Sequence, residues 1–304
     1  MAKFNQPDPR NAGTWCWVNG LVKREEAKVS VLDSVVQGGD AVWEGLRVSN
    51  GRIYQLEEHL ARLQASAHAL MFDGIPELGS VRKAVFDTLE ANGMSDGVHI
   101  RLTLTRGEKS TSGMDPRLNV HGCTLVVLPE YKGAVYGDGD LKLITSSVRR
   151  NGPSYLDSKI HHNNLLNNIL AKIQANHAGA DDAIMLDDRG FLAETNATNV
   201  FLFRDGVLCT PFGHACLPGI TRAYTLTLAS SLGIPVREGD YSLTELYTAE
   251  EAFTTGTMGG LAHIGEVDGR RIGPIDRSGP GPVTKQLQQA YPDHIPSVPL
   301  PFVQ

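Results

Sequence analysis

Two short segments of this sequence carry residue types that can do amine chemistry together. Lys159 lies within residues 154–164, and Glu194 follows after one predicted helix and one predicted strand. A lysine at a strand end can form a Schiff base with an aldehyde cofactor, and a carboxylate on the next strand can keep a pyridine nitrogen protonated. The pair therefore predicts an electron sink.

The surroundings of Lys159 suit a Schiff-base amine. Such a lysine needs partial desolvation or nearby positive charge to become a nucleophile. His161 and His162 follow it, and the apolar pairs Leu165-Leu166 and Ile169-Leu170 predict that the segment turns into a buried helix. The same amine, once freed, can carry a proton between the substrate α-carbon and the cofactor.

Two glycine-containing segments are suited to bind a phosphate. Leu217 to Arg222 places Pro-Gly before an apolar helix, so the amides of Ile220 and Thr221 are predicted at a helix N-terminus, which attracts anions. Thr257 lies between glycines after a predicted strand and offers a second hydroxyl.

Four segments carry a resemblance to a known family: those around Lys159 and Glu194, residues 217–222 and residues 179–187. Their order resembles that of the class IV aminotransferases of fold type IV, which use pyridoxal phosphate. The resemblance runs from about Trp15 to about Val283. It implies a mixed α/β fold (α+β) with a smaller N-terminal α/β domain and a larger C-terminal domain containing a pseudo-barrel of mixed strands. It also implies pyridoxal 5'-phosphate as cofactor and a homodimer.

The resemblance gives roles to individual residues. Lys159 matches the Schiff-base lysine, Glu194 the acid against the ring nitrogen, and Arg62 the phosphate-binding arginine. The full cofactor-binding set is Arg62, Lys159, Asn164, Glu194, Leu217, Ile220, Thr221 and Thr257. Asn164 is a departure, because branched-chain enzymes usually carry a tyrosine at this place; an amide can donate the same hydrogen bond to the ring hydroxyl.

The predicted substrate pocket also departs from the branched-chain pattern. Gly38 and Trp43 stand where that pattern has tyrosine and phenylalanine, and His99 replaces a tyrosine two places before Arg101. A guanidinium can bind a carboxylate bidentately. The predicted substrate-binding residues are Trp43, Arg47, His99, Arg101, Met258 and Gly259.

The Thr-Arg-Gly stretch at residues 105–107 is similar to that of D-amino-acid transaminases, (R)-amine transaminases and aminodeoxychorismate lyases. Together with residues 112–116 and 158–164 it looks most like the plant-type D-amino-acid transaminases and their bacterial relatives. The prediction is therefore an aminotransferase that acts between an amino acid, with D-amino acids favoured, and a 2-oxo acid such as 2-oxoglutarate or pyruvate. Branched-chain L-amino acid or (R)-amine transamination, lyase activity and cofactor binding without turnover stay as alternatives.

Composition excludes several other classes of function. A net charge of −6 without a basic run favours a small-molecule ligand over nucleic acid or a membrane surface. The polar residues 1–14 lack the apolar core of a secretory signal, which predicts a cytoplasmic protein. Four scattered cysteines predict reduced thiols and no metal site, and no G-x-G-x-x-G motif indicates a nicotinamide cofactor.

The elements that must position these residues follow from local patterns. Asn19-Gly20 and Asn50-Gly51 predict hairpins, and apolar spacing predicts a helix from Leu56. A glycine-rich stretch places the domain boundary: residues 1–131 form the first domain, 132–140 the linker and 141–304 the second. The proline-rich end from Pro292 predicts an irregular strap or a frayed tail.

Overall fold

The computed structural model describes residues 8–133, 135–136, 139–276 and 278–303, and this chain divides into two compact units. Of the described residues, the N-terminal unit contains 8–133 together with Ile160–Asn164 and the segment from Pro296, and the C-terminal unit contains the rest. These two returning segments belong to the second domain in the sequence-based division. Three residues of the predicted linker, Ala134, Gly137 and Asp138, lie outside the described residues.

Both units contain strands and helices. The strands are β1 Trp15–Val18, β2 Leu21–Lys23, β3 Ala41–Ser49, β4 Arg52–Tyr54, β5 Val98–Thr105, β6 Thr124–Tyr131, β7 Leu141–Thr145, β8 Asp182–Leu186, β9 Leu192–Thr195, β10 Asn199–Arg204, β11 Val207–Pro211, β12 Val236–Gly239, β13 Glu251–Gly256, β14 Gly260–Val267, β15 Arg270–Arg271 and β16 Ser297–Pro299. The α-helices are α1 Ser34–Gly38, α2 Leu56–Ala69, α3 Leu78–Asn92, α4 Leu166–His177, α5 Ile220–Ser231, α6 Leu243–Tyr247 and α7 Pro282–His294.

The N-terminal unit is built on a seven-stranded antiparallel sheet in the order β16-β4-β3-β5-β6-β1-β2. Both predicted hairpins are present, and Asn50 and Gly51 both adopt positive φ at the turn between β3 and β4. Leu56, Leu60 and Leu63 of α2 are buried in the core of this unit. The prediction of an irregular C-terminal tail is partly wrong, because β16 pairs with β4 and extends the sheet.

The C-terminal unit has a nine-stranded sheet in the order β12-β11-β10-β13-β14-β7-β8-β9, with β15 attached to β14. Three of its strand pairs are parallel, β11 with β12, β14 with β7, and β7 with β8, and the others are antiparallel. The mixed α+β class is therefore confirmed.

Helix α4 differs from its sequence prediction. It begins at Leu166, but it is not a buried helix: its apolar residues Leu166, Ile169, Leu170 and Ile173 are 46 to 73% exposed. Instead, Ala171 and Ala175 are buried, where they pack against Ala183 and Met185 of β8. Small residues allow close approach to the sheet and leave the longer side chains on the outside. Within the described chain, no helix is long and apolar enough to cross a membrane.

Candidate active site

Lys159 lies in the irregular segment between β7 and α4, not at a strand end. Its side chain is 43% exposed, and its Nζ forms an ion pair with Asp157 Oδ2 at 2.9 Å. The Asp157 carboxylate also accepts a hydrogen bond from the Lys159 backbone amide at 3.0 Å, which fixes the local turn. The amine is thus accessible, and its nearest charged partner is an acid rather than the predicted histidines.

Glu194 lies on β9, where its side chain is only 6% exposed. Arg150 Nε donates to its Oε1 at 2.6 Å, and Asn199 Nδ2 donates to its Oε2 at 3.1 Å. The Leu217 amide approaches the same Oε2 at 3.3 Å. A buried carboxylate with a guanidinium partner and two further donors is held ionised and in one orientation.

Helix α5 begins at Ile220, as the sequence predicts, with Gly219 as its N-cap. No side chain among the described residues caps this end, so the first amides, including those of Ile220 and Thr221, point outward as donors. Gly219 must be glycine, because a Cβ there would lie 1.9 Å from Asn199 Oδ1. Asn199 therefore connects the Glu194 carboxylate to the start of α5.

Thr257, Met258 and Gly259 form the turn between β13 and β14. A Cβ on Gly259 would lie 2.9 Å from the ring of Tyr136, whose hydroxyl donates to Asp182. Burial raises the pKa of Tyr136 well above its usual value, and the Asp182 carboxylate adds to the effect. A neutral tyrosine of the linker region thus packs directly against this turn.

Arg62 lies on α2, and its side chain is 14% exposed. Its guanidinium donates two hydrogen bonds to Glu44 of β3, from Nε to Oε1 at 2.8 Å and from Nη2 to Oε2 at 2.7 Å. The orientation of this guanidinium is therefore set by a buried acid.

The four remaining substrate candidates share one face of the N-terminal sheet. Arg47 is opposite His99, and Gly45 is opposite Arg101, in the antiparallel pairing of β3 with β5. Trp43 lies two residues before Gly45 on the same face. A Cβ on Gly45 would lie 3.3 Å from His99 Nε2 and 3.7 Å from the Trp43 ring, so both side chains pack over this glycine.

Arg101 is the most constrained member of this face. Its guanidinium stacks over the Trp43 ring at 3.4 Å and donates to Asn163 Oδ1 at 3.0 Å. Burial lowers the pKa of Arg101 to about 10 and that of His99 to about 4. Arg101 forms no ion pair within the described residues, although the Glu44 carboxylate favours its charge, whereas His99 is neutral at pH 7.

Asn164 is tied to the backbone of its own unit. Its Nδ2 donates to the Gly39 carbonyl at 3.0 Å, and its side chain is exposed. One hydrogen of the side-chain amide is therefore used within the protein. The other could be donated to the hydroxyl oxygen of a ligand.

Residues 41–267 match the family model for class IV amino-transferases, and this span contains each predicted site residue. The chain belongs to the class IV aminotransferase family. Among the relatives of this family member is the branched-chain-amino-acid aminotransferase-like protein 2 of Arabidopsis thaliana. It is 55% identical over 287 residues, which are 94% of this chain but only 51% of the plant protein. The chain thus spans about half the length of that relative.

Other relatives match over nearly their whole length. A putative branched-chain-amino-acid aminotransferase of Methanocaldococcus jannaschii is 38% identical over 282 residues, 91% of this chain and 95% of its own. The structure of the T.th. branched-chain amino acid aminotransferase complexed with N-(5'-phosphopyridoxyl)-L-glutamate has a TM-score of 0.85 and 31% identity. The match covers 95% of this chain and 94% of that chain.

The sequence patterns did not indicate the roles of Arg150, Asn199, Glu44 and His59 at the site. One of them left a signal: Glu44 occupies an inward position of β3 between Val42 and Leu46, where a charged residue needs a buried partner. Asn199 lies only five residues after Glu194, but its double contact depends on the distant Leu217. Nothing local to Arg150 indicates its pairing with a residue 44 positions away.

Proposed function

We propose that this chain is a pyridoxal-phosphate-dependent aminotransferase that moves an amino group between an amino acid and a 2-oxo acid such as 2-oxoglutarate or pyruvate. The observation that carries the proposal is the buried Glu194 carboxylate, held by Arg150, Asn199 and the Leu217 amide. An acid fixed in this way is suited to pair with a protonated pyridine nitrogen.

The donor set of the C-terminal unit fits the three functional groups of pyridoxal phosphate. Lys159 offers an accessible amine for the aldehyde, Glu194 an ionised carboxylate for the ring nitrogen, and the start of α5 a set of uncapped amides for the phosphate. In the N-terminal unit, Arg62 is proposed as a further phosphate ligand and Asn164 as a donor to the ring hydroxyl.

When bound, pyridoxal phosphate supplies an aldehyde that takes up amino groups and a ring that accepts the electron pair left by the α-proton. Lys159 anchors this group and then moves a proton at the substrate α-carbon through Nζ. Asp157, paired with that Nζ, holds the amine when it is released. Glu194 keeps a negative charge at the ring nitrogen, and the Ile220 and Thr221 amides orient the phosphate.

The environment of Arg101 favours an amino-group acceptor that carries a carboxylate. Its guanidinium is held against Trp43 and Asn163 and forms no direct ion pair within the described residues, so a substrate carboxylate could pair with it bidentately. The T.th. relative was crystallised with a phosphopyridoxyl adduct of L-glutamate, which carries such a carboxylate. We therefore propose 2-oxoglutarate as an acceptor, with Trp43, Arg47 and His99 lining the same face.

D-amino acids stay the predicted donor class. The Thr-Arg-Gly motif that suggested them also has a structural role. Arg106 pairs with Asp40 and donates to the carbonyls of Leu70 and Met71. Gly107 has φ of +104°, and a Cβ there would lie 1.7 Å from the Gly122 carbonyl oxygen. Since several relatives are named as branched-chain aminotransferases, branched-chain amino acids are the second candidate donor class.

A homodimer is the proposed assembly. The exposed residues of α4 lie at positions i, i+3, i+4 and i+7, which forms one continuous apolar stripe on the helix surface. A stripe of this kind is typical of a surface covered by another chain. A cytoplasmic location stays a prediction.

Cofactor uptake and amine specificity test the proposal directly. The purified protein should bind pyridoxal phosphate with a change in absorbance, and borohydride reduction should fix the cofactor covalently to Lys159. Lys159→Ala should abolish transamination but retain part of the cofactor affinity. A colourless protein, or turnover retained in Lys159→Ala, would reject the proposal.

A donor panel then distinguishes the candidate activities. It should contain both enantiomers of alanine, leucine and 1-phenylethylamine with 2-oxoglutarate as acceptor. D-glutamate formed from D-alanine indicates the D-type activity, and turnover of L-leucine indicates the branched-chain type. An aminodeoxychorismate lyase without transaminase activity would convert none of these donors.

A further inference from the structure

Glu44 is a carboxylate inside the core of the N-terminal unit. It is 0% exposed and lies on the inward face of β3 with Val42 and Leu46. A buried charge is strongly destabilising unless it is paired and hydrogen-bonded. No step of the proposed reaction uses this acid, so its presence needs another explanation.

Three side chains surround the Glu44 carboxylate. Arg62 donates from Nε at 2.8 Å and from Nη2 at 2.7 Å. His59 Nδ1 lies 2.7 Å from Oε2, and His161 Nδ1 lies 3.1 Å from Oε1. Burial alone would raise the pKa of Glu44, but His161, Arg62 and His59 hold it well below its usual value. The acid is therefore ionised.

The pairing of Glu44 keeps it charged, whereas burial keeps His161 neutral. The same burial lowers the pKa of His161 to about 4, so the ring is neutral at pH 7 and donates its Nδ1–H to Glu44. Glu44 and Arg62 thus form a bidentate pair, which restricts the guanidinium to one plane. A long, flexible arginine side chain would otherwise sample many rotamers.

His161 connects the cluster to the segment that follows Lys159 in sequence. The Trp43 amide donates to the His161 carbonyl at 2.9 Å, and the Asn163 amide donates to the Ala41 carbonyl at 2.8 Å. Residues Ile160–Asn164 therefore run beside β3, next to Glu44. Glu44 could therefore affect cofactor binding in two ways, through Arg62 or through residues Ile160–Asn164.

We propose that Glu44 is a positioning residue for cofactor binding, which acts by holding Arg62 in the orientation that receives the phosphate. This inference rests on the proposed function. The proposal predicts the direction in which phosphate affinity changes when Glu44 is removed. A negative charge 2.7 Å from Arg62 would by itself weaken the attraction of Arg62 to a phosphate. If charge were the whole effect, removal of Glu44 would tighten phosphate binding; positioning predicts the opposite.

The decisive measurement is the affinity of the apoprotein for pyridoxal 5'-phosphate and for pyridoxal, which lacks the phosphate. Glu44→Gln should raise the Kd for pyridoxal phosphate by roughly tenfold or more, the size typical of residues that orient a ligand-binding group. The Kd for pyridoxal should not change. Glu44→Asp keeps the charge but shortens the side chain, so we expect an intermediate loss of affinity for pyridoxal phosphate. This variant also tests the proposal if Glu44→Gln does not fold.

Glu251→Gln is the matched control. Glu251 is also buried and accepts bonds from the Val283 amide and from the amide and hydroxyl of Thr284, at the start of α7. Its replacement should lower Tm without changing either Kd. A similar loss of affinity in this control would mean that loss of any buried carboxylate impairs the site, and would overturn the proposal.

A double-mutant cycle identifies the route of action. Arg62→Met should weaken pyridoxal phosphate binding, and adding Glu44→Gln to it should cause no further loss. An additive loss, an equal loss for pyridoxal, or tighter binding in Glu44→Gln would each overturn the proposal. If the unaltered protein binds no pyridoxal phosphate, the proposed function itself fails, which is a different result.

Discussion

Arg150 and Glu194 form a buried ion pair, with Arg150 Nε 2.6 Å from Glu194 Oε1 and both side chains under 8% exposed. Their separation of 44 positions in the sequence spans β8 and α4. The pair keeps an acid ionised at a place where water cannot solvate it. The charge of Glu194 therefore depends on its guanidinium partner.

Arg150→Met should both destabilise the protein and slow the reaction. Breaking one side of a buried ion pair costs about 3–5 kcal/mol, because the remaining charge is uncompensated. Glu194 would then take up a proton, and kcat should fall roughly 10- to 100-fold. Thermal unfolding and steady-state kinetics check both effects, and Arg150→Lys should restore part of kcat.

The control for this prediction is Arg82→Met. Arg82 pairs with Glu57 at the surface, with 40% and 50% of the two side chains exposed, so its loss should cost less than about 1 kcal/mol. Unchanged kinetics in Arg150→Met would mean that Glu194 does not need its guanidinium.

Gly219→Ala should weaken cofactor binding by displacing Asn199. The added Cβ would lie 1.9 Å from Asn199 Oδ1, so the amide must move and its bonds to Glu194 and to the Leu217 carbonyl must break. We expect a Kd for pyridoxal phosphate at least roughly tenfold higher, since two hydrogen bonds at the site are disturbed. Gly213→Ala is the control, because a Cβ there meets nothing within 4 Å; similar effects of both variants would contradict the argument.

Stability should fall as the pH is lowered from about 6.5 towards 4. Burial lowers the pKa of His161 from 6.5 to about 4, so between these values the unfolded chain binds a proton that the folded chain does not. Stability therefore rises with pH in this window, by at most about 1.4 kcal/mol per pH unit for each such histidine. His99, with the same lowered pKa, adds to the slope.

Urea unfolding of the apoprotein at several pH values measures this slope. His161→Asn should reduce it, whatever its effect on absolute stability. His177→Asn, at an exposed position on α4, should leave it unchanged. An identical slope with and without His161 would show that this ring is protonated in the folded protein.

Ile169→Glu should disrupt the proposed homodimer. Ile169 is 51% exposed within the apolar stripe of α4, and a charge there would be desolvated in an interface. Light scattering should show a dimer for the unaltered protein and a shift towards monomer for the variant. Ile275→Glu, at a separate exposed position, is the control. A monomeric unaltered protein with full activity would remove the prediction.

Much of the local structure could be predicted because its causes are local. The Asn50-Gly51 hairpin follows from two residues that tolerate positive φ, and the α2 helix follows from its apolar spacing. The start of α5 after Gly219 follows from a Pro-Gly pair before an apolar run. The α4 prediction failed, because spacing shows that a helix has an apolar face but not what covers it.

The sequence by itself determined the order of the motifs, the mixed α+β class, the family and the residue types that its chemistry requires. Only the tertiary structure decided the partners: Glu44 for Arg62, Arg150 for Glu194, and Trp43 for Arg101. The physical reason is that a buried charge must find an opposite charge or donors, but sheet register and helix packing choose which one. Those choices depend on contacts between residues far apart in the chain.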